Sequence, residues 1–97
     1  MDRHDAQPIG DLLTTYLRES GLEKPLLERQ VVEKWPELMG PMVARLTRSV
    51  ELTNGMLKVR ISSAALKAQL FENRRELVAK LNEAVGAHII DDVRLLG

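Results

Sequence analysis

The sequence predicts an α+β fold: a small three-stranded sheet, made of a hairpin and a C-terminal strand, covered by helices. Three observations carry this. Asn54-Gly55 sits between two segments that alternate apolar and polar residues. Apolar residues recur at helical spacing on both sides of those segments. The chain closes on Ile89, Ile90, Val93 and Leu95, a run suited to a strand. The expected order is α-α-β-β-α(α)-β, with the second pair of helices either fused or split.

At the N-terminal end, Ile9, Leu12, Leu13, Tyr16 and Leu17 recur at helical spacing, and Ser20-Gly21 supplies a stop. A helix over 9–20 is expected. Lys24-Pro25 opens a second helix, because proline suits the first turn. Its apolar stripe is Leu26, Leu27, Val31 and Val32. Pro36 disfavours helical geometry at Trp35, so a break is expected there. A short helix over 36–46 then turns Leu38, Met39, Met42, Val43 and Leu46 inward, with Gly40-Pro41 as a further kink point.

Thr47 to Ser62 is the clearest local signal. Asn-Gly favours a two-residue hairpin turn, because both central positions take positive φ. That turn sets Leu52 opposite Leu57, Val50 opposite Val59, Glu51 opposite Lys58 and Ser49 opposite Arg60. One face is then apolar and the other carries an opposite-charge pair. Turn chemistry and alternation demand the same register.

Ser62-Ser63 offers a helix N-cap. Leu66, Leu70, Leu77, Leu81 and Val85 form one stripe over 64–85. A continuous helix would bring Asn73 and Arg74 into that stripe, and a buried unpaired arginine is costly. An interruption near 72–75 relieves this. Gly86 ends the second helix, and residues 88–95 form the third strand.

With 97 residues the chain is one domain, 1–97, in which residues 1–7 are expected to be disordered. Tyr16, Trp35 and Phe71 are the only aromatics, so the core must be aliphatic. Absence of cysteine excludes disulfides and thiolate zinc sites. No apolar run is long enough for a membrane helix, and the polar start Met1–Asp5 is unlike a signal peptide. The expected location is cytoplasmic.

Little here suggests catalysis. His4 lies in the start expected to be frayed, and His88 reads as a boundary residue. Asp91-Asp92 would point to opposite faces of a strand, a poor cation site. No nucleophile–base pair and no Gly-rich phosphate loop stands out. An enzyme, a cofactor, a metal and a small-molecule substrate are therefore not expected.

Charge is more informative. The net formal charge is zero, yet residues 40–80 hold 8 Lys/Arg against 3 Asp/Glu, net +5. The flanking segments 1–39 and 81–97 are net −3 and −2. Arg45, Arg48, Lys58, Arg60, Lys67, Arg74, Arg75 and Lys80 form the basic set. They are either a solvated polar face or a stripe that follows phosphates. Phe71, the only aromatic in that half, reads as a core edge rather than a stacking platform. Trp35 reads as a core plug anchoring the N-terminal helices. Its alternative, shared with Leu13, Tyr16 and Leu17, is an anchor for a protein partner.

Several short pieces recur together. They are Ile9-Gly10-Asp11-Leu12-Leu13, Gly21-Leu22, Trp35-Pro36-Glu37 with Gly40, and Thr47. Asn54-Gly55-Met56-Leu57-Lys58-Val59, Ser62-Ser63-Ala64 and Leu70 follow, then Leu81-Asn82, Gly86 and Ile90-Asp91-Asp92-Val93-Arg94. In order and spacing over about 85 residues, the sequence resembles the DciA family. The resemblance implies a non-enzymatic bacterial replication protein that binds the replicative DNA helicase and assists its loading or operation. It also implies a K-homology-like fold, modest affinity for single-stranded or forked DNA, and a nucleoid-associated location. Many members carry a long basic tail, which this sequence lacks. Leu66 stands where many relatives have Trp, and Leu46 where they often have His. Asn73-Arg74-Arg75-Glu76 falls where a K-homology domain would carry its GxxG loop. Two cations without glycine suit phosphate contact better than base readout. The alternative is a protein-interaction module that never touches nucleic acid. Arg45, Lys58, Arg60, Arg74 and Arg75 on one face would favour DNA, and a scattered set would favour the alternative.

Overall fold

The computed structural model describes residues 21–97. The expected helix 9–20, with Leu13, Tyr16 and Leu17, the disorder of 1–7, and His4 lie outside the described residues.

The elements are α1 (Glu23–Met39), α2 (Pro41–Leu46), β1 (Thr47–Thr53), β2 (Met56–Ile61), α3 (Ala64–Glu72), α4 (Arg74–Val85) and β3 (Asp92–Leu96). The fold class is as expected, a small α+β domain in the order α-α-β-β-α-α-β. The sheet order is β1-β2-β3. Strand β2 is central, antiparallel to β1 and parallel to β3. Helices pack on one face, with α1 against α4 and β1, and α3 and α4 against β3.

The hairpin forms in the expected register, from Ser49↔Arg60 through Thr53↔Met56. Asn54 and Gly55 both take positive φ, 51° and 81°. Alternation buries Leu57, Val59 and Ile61 and leaves Lys58 and Arg60 on the open face. A register shift between Thr47 and Ser49 lets Thr47 turn toward the helices. Glu51 and Lys58 do stand opposite each other, but they make no ion pair among the described residues.

The corner between α1 and α2 differs from the sequence expectation. The chain does not break at Trp35-Pro36: α1 runs through Pro36 to Met39. Trp35 and Val31, one turn apart, are both fully buried. Their burial offsets the hydrogen bond that Pro36 cannot make. The break comes at Gly40, whose φ of 92° a side chain would strain. Pro41 then opens α2 at its first turn. Because the break is displaced, Leu38 and Met42 do not face inward. They are 40% and 59% exposed, and only Val43 of that stripe is buried. Leu26 is likewise exposed.

Trp35 is the core plug. Its indole Nε1 donates to Thr47 Oγ1 at 3.1 Å, and that hydroxyl donates to the Val43 carbonyl at 2.7 Å. A buried indole N–H needs such a partner. It belongs to one core with Val31, Val43, Leu57, Val59, Ile61, Leu66, Leu70, Leu77, Leu81, Ile90 and Val93. No polar side chain is buried among the described residues.

The long helical segment is interrupted, as the cost of a buried arginine requires. Asn73 ends α3 through its N–H to the Leu70 carbonyl and opens α4 by accepting from Leu77 N–H. Ser63 caps α3, accepting from Leu66 N–H at 3.2 Å. The third strand is shorter than expected, because 88–91 form a connection. Asn82 holds that connection: its Oδ1 accepts from Ile89 and Ile90 N–H, and its Nδ2 donates to the Ile90 carbonyl. Ile90 is thereby pressed into the core without strand pairing.

Candidate nucleic-acid interface

β3 is an edge strand, and α3 and the α3–α4 junction pack beside it. Part of the basic set lies around this edge. In the parallel pairing of β2 with β3, Lys58 and Arg94 are direct partners. Parallel neighbours of like charge repel, so a favourable counter-charge is what this pair lacks. Neither makes an ion pair among the described residues. Arg60 lies two residues along β2, and its Nη1 donates to the Gly97 carbonyl at 3.0 Å.

Arg74 reaches the edge from the junction. Its Nε lies 3.8 Å from Asp92 Oδ1, and its guanidinium carbon sits 4.3 Å from the centre of the Phe71 ring. Met56, Phe71, Arg74, Asp92, Arg94 and Leu95 enclose a hollow of about 270 Å³ there. Arg75, exposed, lines a second hollow beside Asn73, Arg74 and Glu76. A third, about 360 Å³, is formed by Ala64, Lys67, Ala68, Phe71, Glu72 and Leu95. The result is a groove along β3 with Lys67, Phe71 and Arg74 on the helical side and Arg94 and Leu95 on the strand side.

The basic set is thus partly gathered. Lys67 and Arg74 line the β3 groove, Arg75 lies at the adjoining α3–α4 junction, and Lys58 stands across the strands from Arg94. Arg45 and Arg48 do not: they flank the start of β1, at the other end of the sheet from the Asn54-Gly55 turn. Lys80 is exposed further along α4, and Arg60 points toward Gly97. Trp35 is fully buried and offers no exposed partner anchor, which corrects that candidacy.

The sequence reading left out Arg94 and misplaced Phe71. Arg94 falls in a net-acidic segment, yet its alternation with Val93 and Leu95 was the signal that it faces outward. Phe71 is not a core edge: it is 52% exposed. It follows Leu70 by one position, about 100° around the helix, and so lies off the buried stripe. Asp91 and Asp92 point apart, the first to His88 at 2.8 Å and the second to Arg74. No group of three or more His, Cys, Asp or Glu could hold a metal among the described residues. No described helix is long and apolar enough to cross a membrane. Exposed guanidinium and ammonium groups beside an apolar groove can neutralise phosphates and shelter a ring.

The family model described as "Dna[CI] antecedent, DciA" matches residues 8–95. Similar curated proteins include the UPF0232 protein ML0004 of Mycobacterium leprae, 29% identical over 96 residues, covering 99% of this chain and 51% of that protein. A UPF0232 protein of Mycolicibacterium paratuberculosis is also 29% identical, with 99% and 53% covered. UPF0232 protein RHA1_ro03670 of Rhodococcus jostii is 28% identical, with 99% and 51% covered. The chain spans about half the length of the curated relatives it matches. A match over residues 8–95, nearly the whole chain, establishes that the chain belongs to the DciA family.

Proposed function

We propose that this domain is a non-enzymatic replication accessory module that associates with the replicative DNA helicase and assists its loading or operation. In this role it holds single-stranded or forked DNA weakly, through phosphates, and works beside the chromosome in the cytoplasm. Family membership supports the helicase half of the reading. The observation that carries the DNA half is a set of cations at and beside the β3 groove: Lys67 and Arg94 on it, Lys58 across the strands from Arg94, and Arg75 at the α3–α4 junction make no ion pair among the described residues. Cations left unpaired on one edge are what phosphate neutralisation requires.

Phosphate contact alone is sequence-blind and salt-sensitive, so recruitment rests mainly on the protein partner. The test is co-elution of this chain with its cognate replicative helicase, with and without single-stranded DNA. Association that persists at salt abolishing DNA binding is the expected result. No association at low salt would rule out the helicase as partner. A protein-interaction module that never touches DNA is the second reading. The exposed Leu22, Leu26, Leu38 and Met42 on and beside α1 and α2 favour it.

A further inference from the structure

Phe71 is an exposed aromatic ring in a chain with only three aromatics, and it lies in the groove rather than beside the core. Ala64, Ala68 and Phe71 follow one another at i, i+4 and i+7, so they share one face of α3. Two alanines leave room beside the ring, and Leu95 closes the strand side of the same hollow of about 360 Å³. Arg74 holds the ring from its own side at 4.3 Å, an attraction between the cation and the π-face. The ring is therefore positioned before any ligand arrives, which lowers the ordering cost of binding. Lys67, Arg74 and Arg94 stand around it, and of the two nearby carboxylates, Glu72 and Asp92, the second is engaged by Arg74.

We infer that Phe71 is a stacking platform for one base of a single-stranded nucleic acid, held in place by Arg74, with the flanking phosphates on Lys67 and Arg94. This deepens the proposed DNA contact and rests on it. An apolar floor with a cationic rim fits a flat base on an anionic backbone better than it fits a peptide. A base in a duplex presents no free face, so the site selects unpaired strands. Every base has a π-face, so the platform discriminates little among sequences.

The full chain is titrated with a short labelled oligothymidylate and with an abasic strand of equal length, followed by fluorescence anisotropy. Phe71→Leu should weaken oligothymidylate binding roughly five- to fiftyfold and leave the abasic strand unchanged. Phe71→Trp should keep the affinity, and oligothymidylate should quench its emission while the abasic strand does not. Trp35, fully buried, supplies a constant background. Unchanged oligothymidylate binding by Phe71→Leu, without quenching of Phe71→Trp, overturns the platform and leaves the phosphate contact standing. Failure of the parent chain to bind either strand at low salt overturns both. Loss of helicase association by Phe71→Leu, with oligothymidylate binding intact, overturns the platform and gives the ring to a protein partner.

Discussion

The β1–β2 hairpin and the α1–α2 corner are both turns of the chain, but they are specified in different ways. The hairpin is set by its own residues: Asn54 and Gly55 take the positive φ the turn needs, and the strands alternate to match. The corner is set by what lies beneath it. Two sequence signals compete there, Trp35-Pro36 and Gly40-Pro41, and the burial of Trp35 decides for the second. A local rule suffices where both elements belong to the same few residues. Where a large side chain must reach a distant core, packing chooses among the local options.

That contrast can be broken most severely at Trp35. Trp35→Ala removes the largest buried side chain and leaves the Thr47 hydroxyl without its indole donor. A loss of about 3–5 kcal/mol in denaturant unfolding is expected, with β1 and α2 losing their anchor together. Stability unchanged within ~1 kcal/mol would mean the corner holds itself.

The hairpin should break by a different mechanism. A Cβ at Gly55 would collide with the Asp91 carboxylate, and φ there is +81°. The carboxylate is exposed and can swing aside, so the cost of Gly55→Val comes from a β-branched residue at that strained φ, about 2–4 kcal/mol. The turn is also a docking point, since the Gly55 carbonyl accepts from Asp91 N–H at 2.7 Å. Displacing it should loosen the entry to β3 as well, which amide exchange at Asp91 would reveal.

Pro36→Ala sharpens the comparison. If packing holds α1 through Pro36 against local preference, restoring the N–H should stabilise the protein, by about 1 kcal/mol after the unfolded chain regains freedom. Destabilisation would mean that Pro36 shapes the corner rather than being tolerated by it.

Ser63→Ala is the smallest of the set. It removes only the cap on Leu66 N–H and should cost about 1 kcal/mol. The cap belongs with the hairpin, because Ser63 stands in sequence directly beside the helix it caps.

Legibility followed the same division. The hairpin register, the Ser63 cap and the interruption at Asn73 were readable, because each rests on residues within one or two turns. The position of the α1 break and the exposure of Leu38 and Met42 were not, because they depend on which helix buries Trp35. The connection 88–91 looked like strand because Ile89 and Ile90 are β-formers, yet Asn82 on α4 takes their N–H groups. The groove shows the same limit. Arg74 and Arg75 were visible as a pair, but only the parallel pairing of β2 with β3 sets Lys58 beside Arg94.

Cations at the β3 edge and the adjoining α3–α4 junction that hold single-stranded DNA through its phosphates are the core of the proposed role. Arg75 and Arg94 are exposed and make no ion pair among the described residues, so neutralising them should spare the fold. The direct measurement is anisotropy of a labelled single strand across a salt series, for the parent chain and for Arg75→Gln with Arg94→Gln. The double variant should bind every sequence more weakly, and all of them alike. Its plot of log affinity against log salt should be shallower by about 0.7 for each phosphate no longer neutralised. Parallel plots of equal affinity would contradict this and leave the β3 edge without a role in DNA binding.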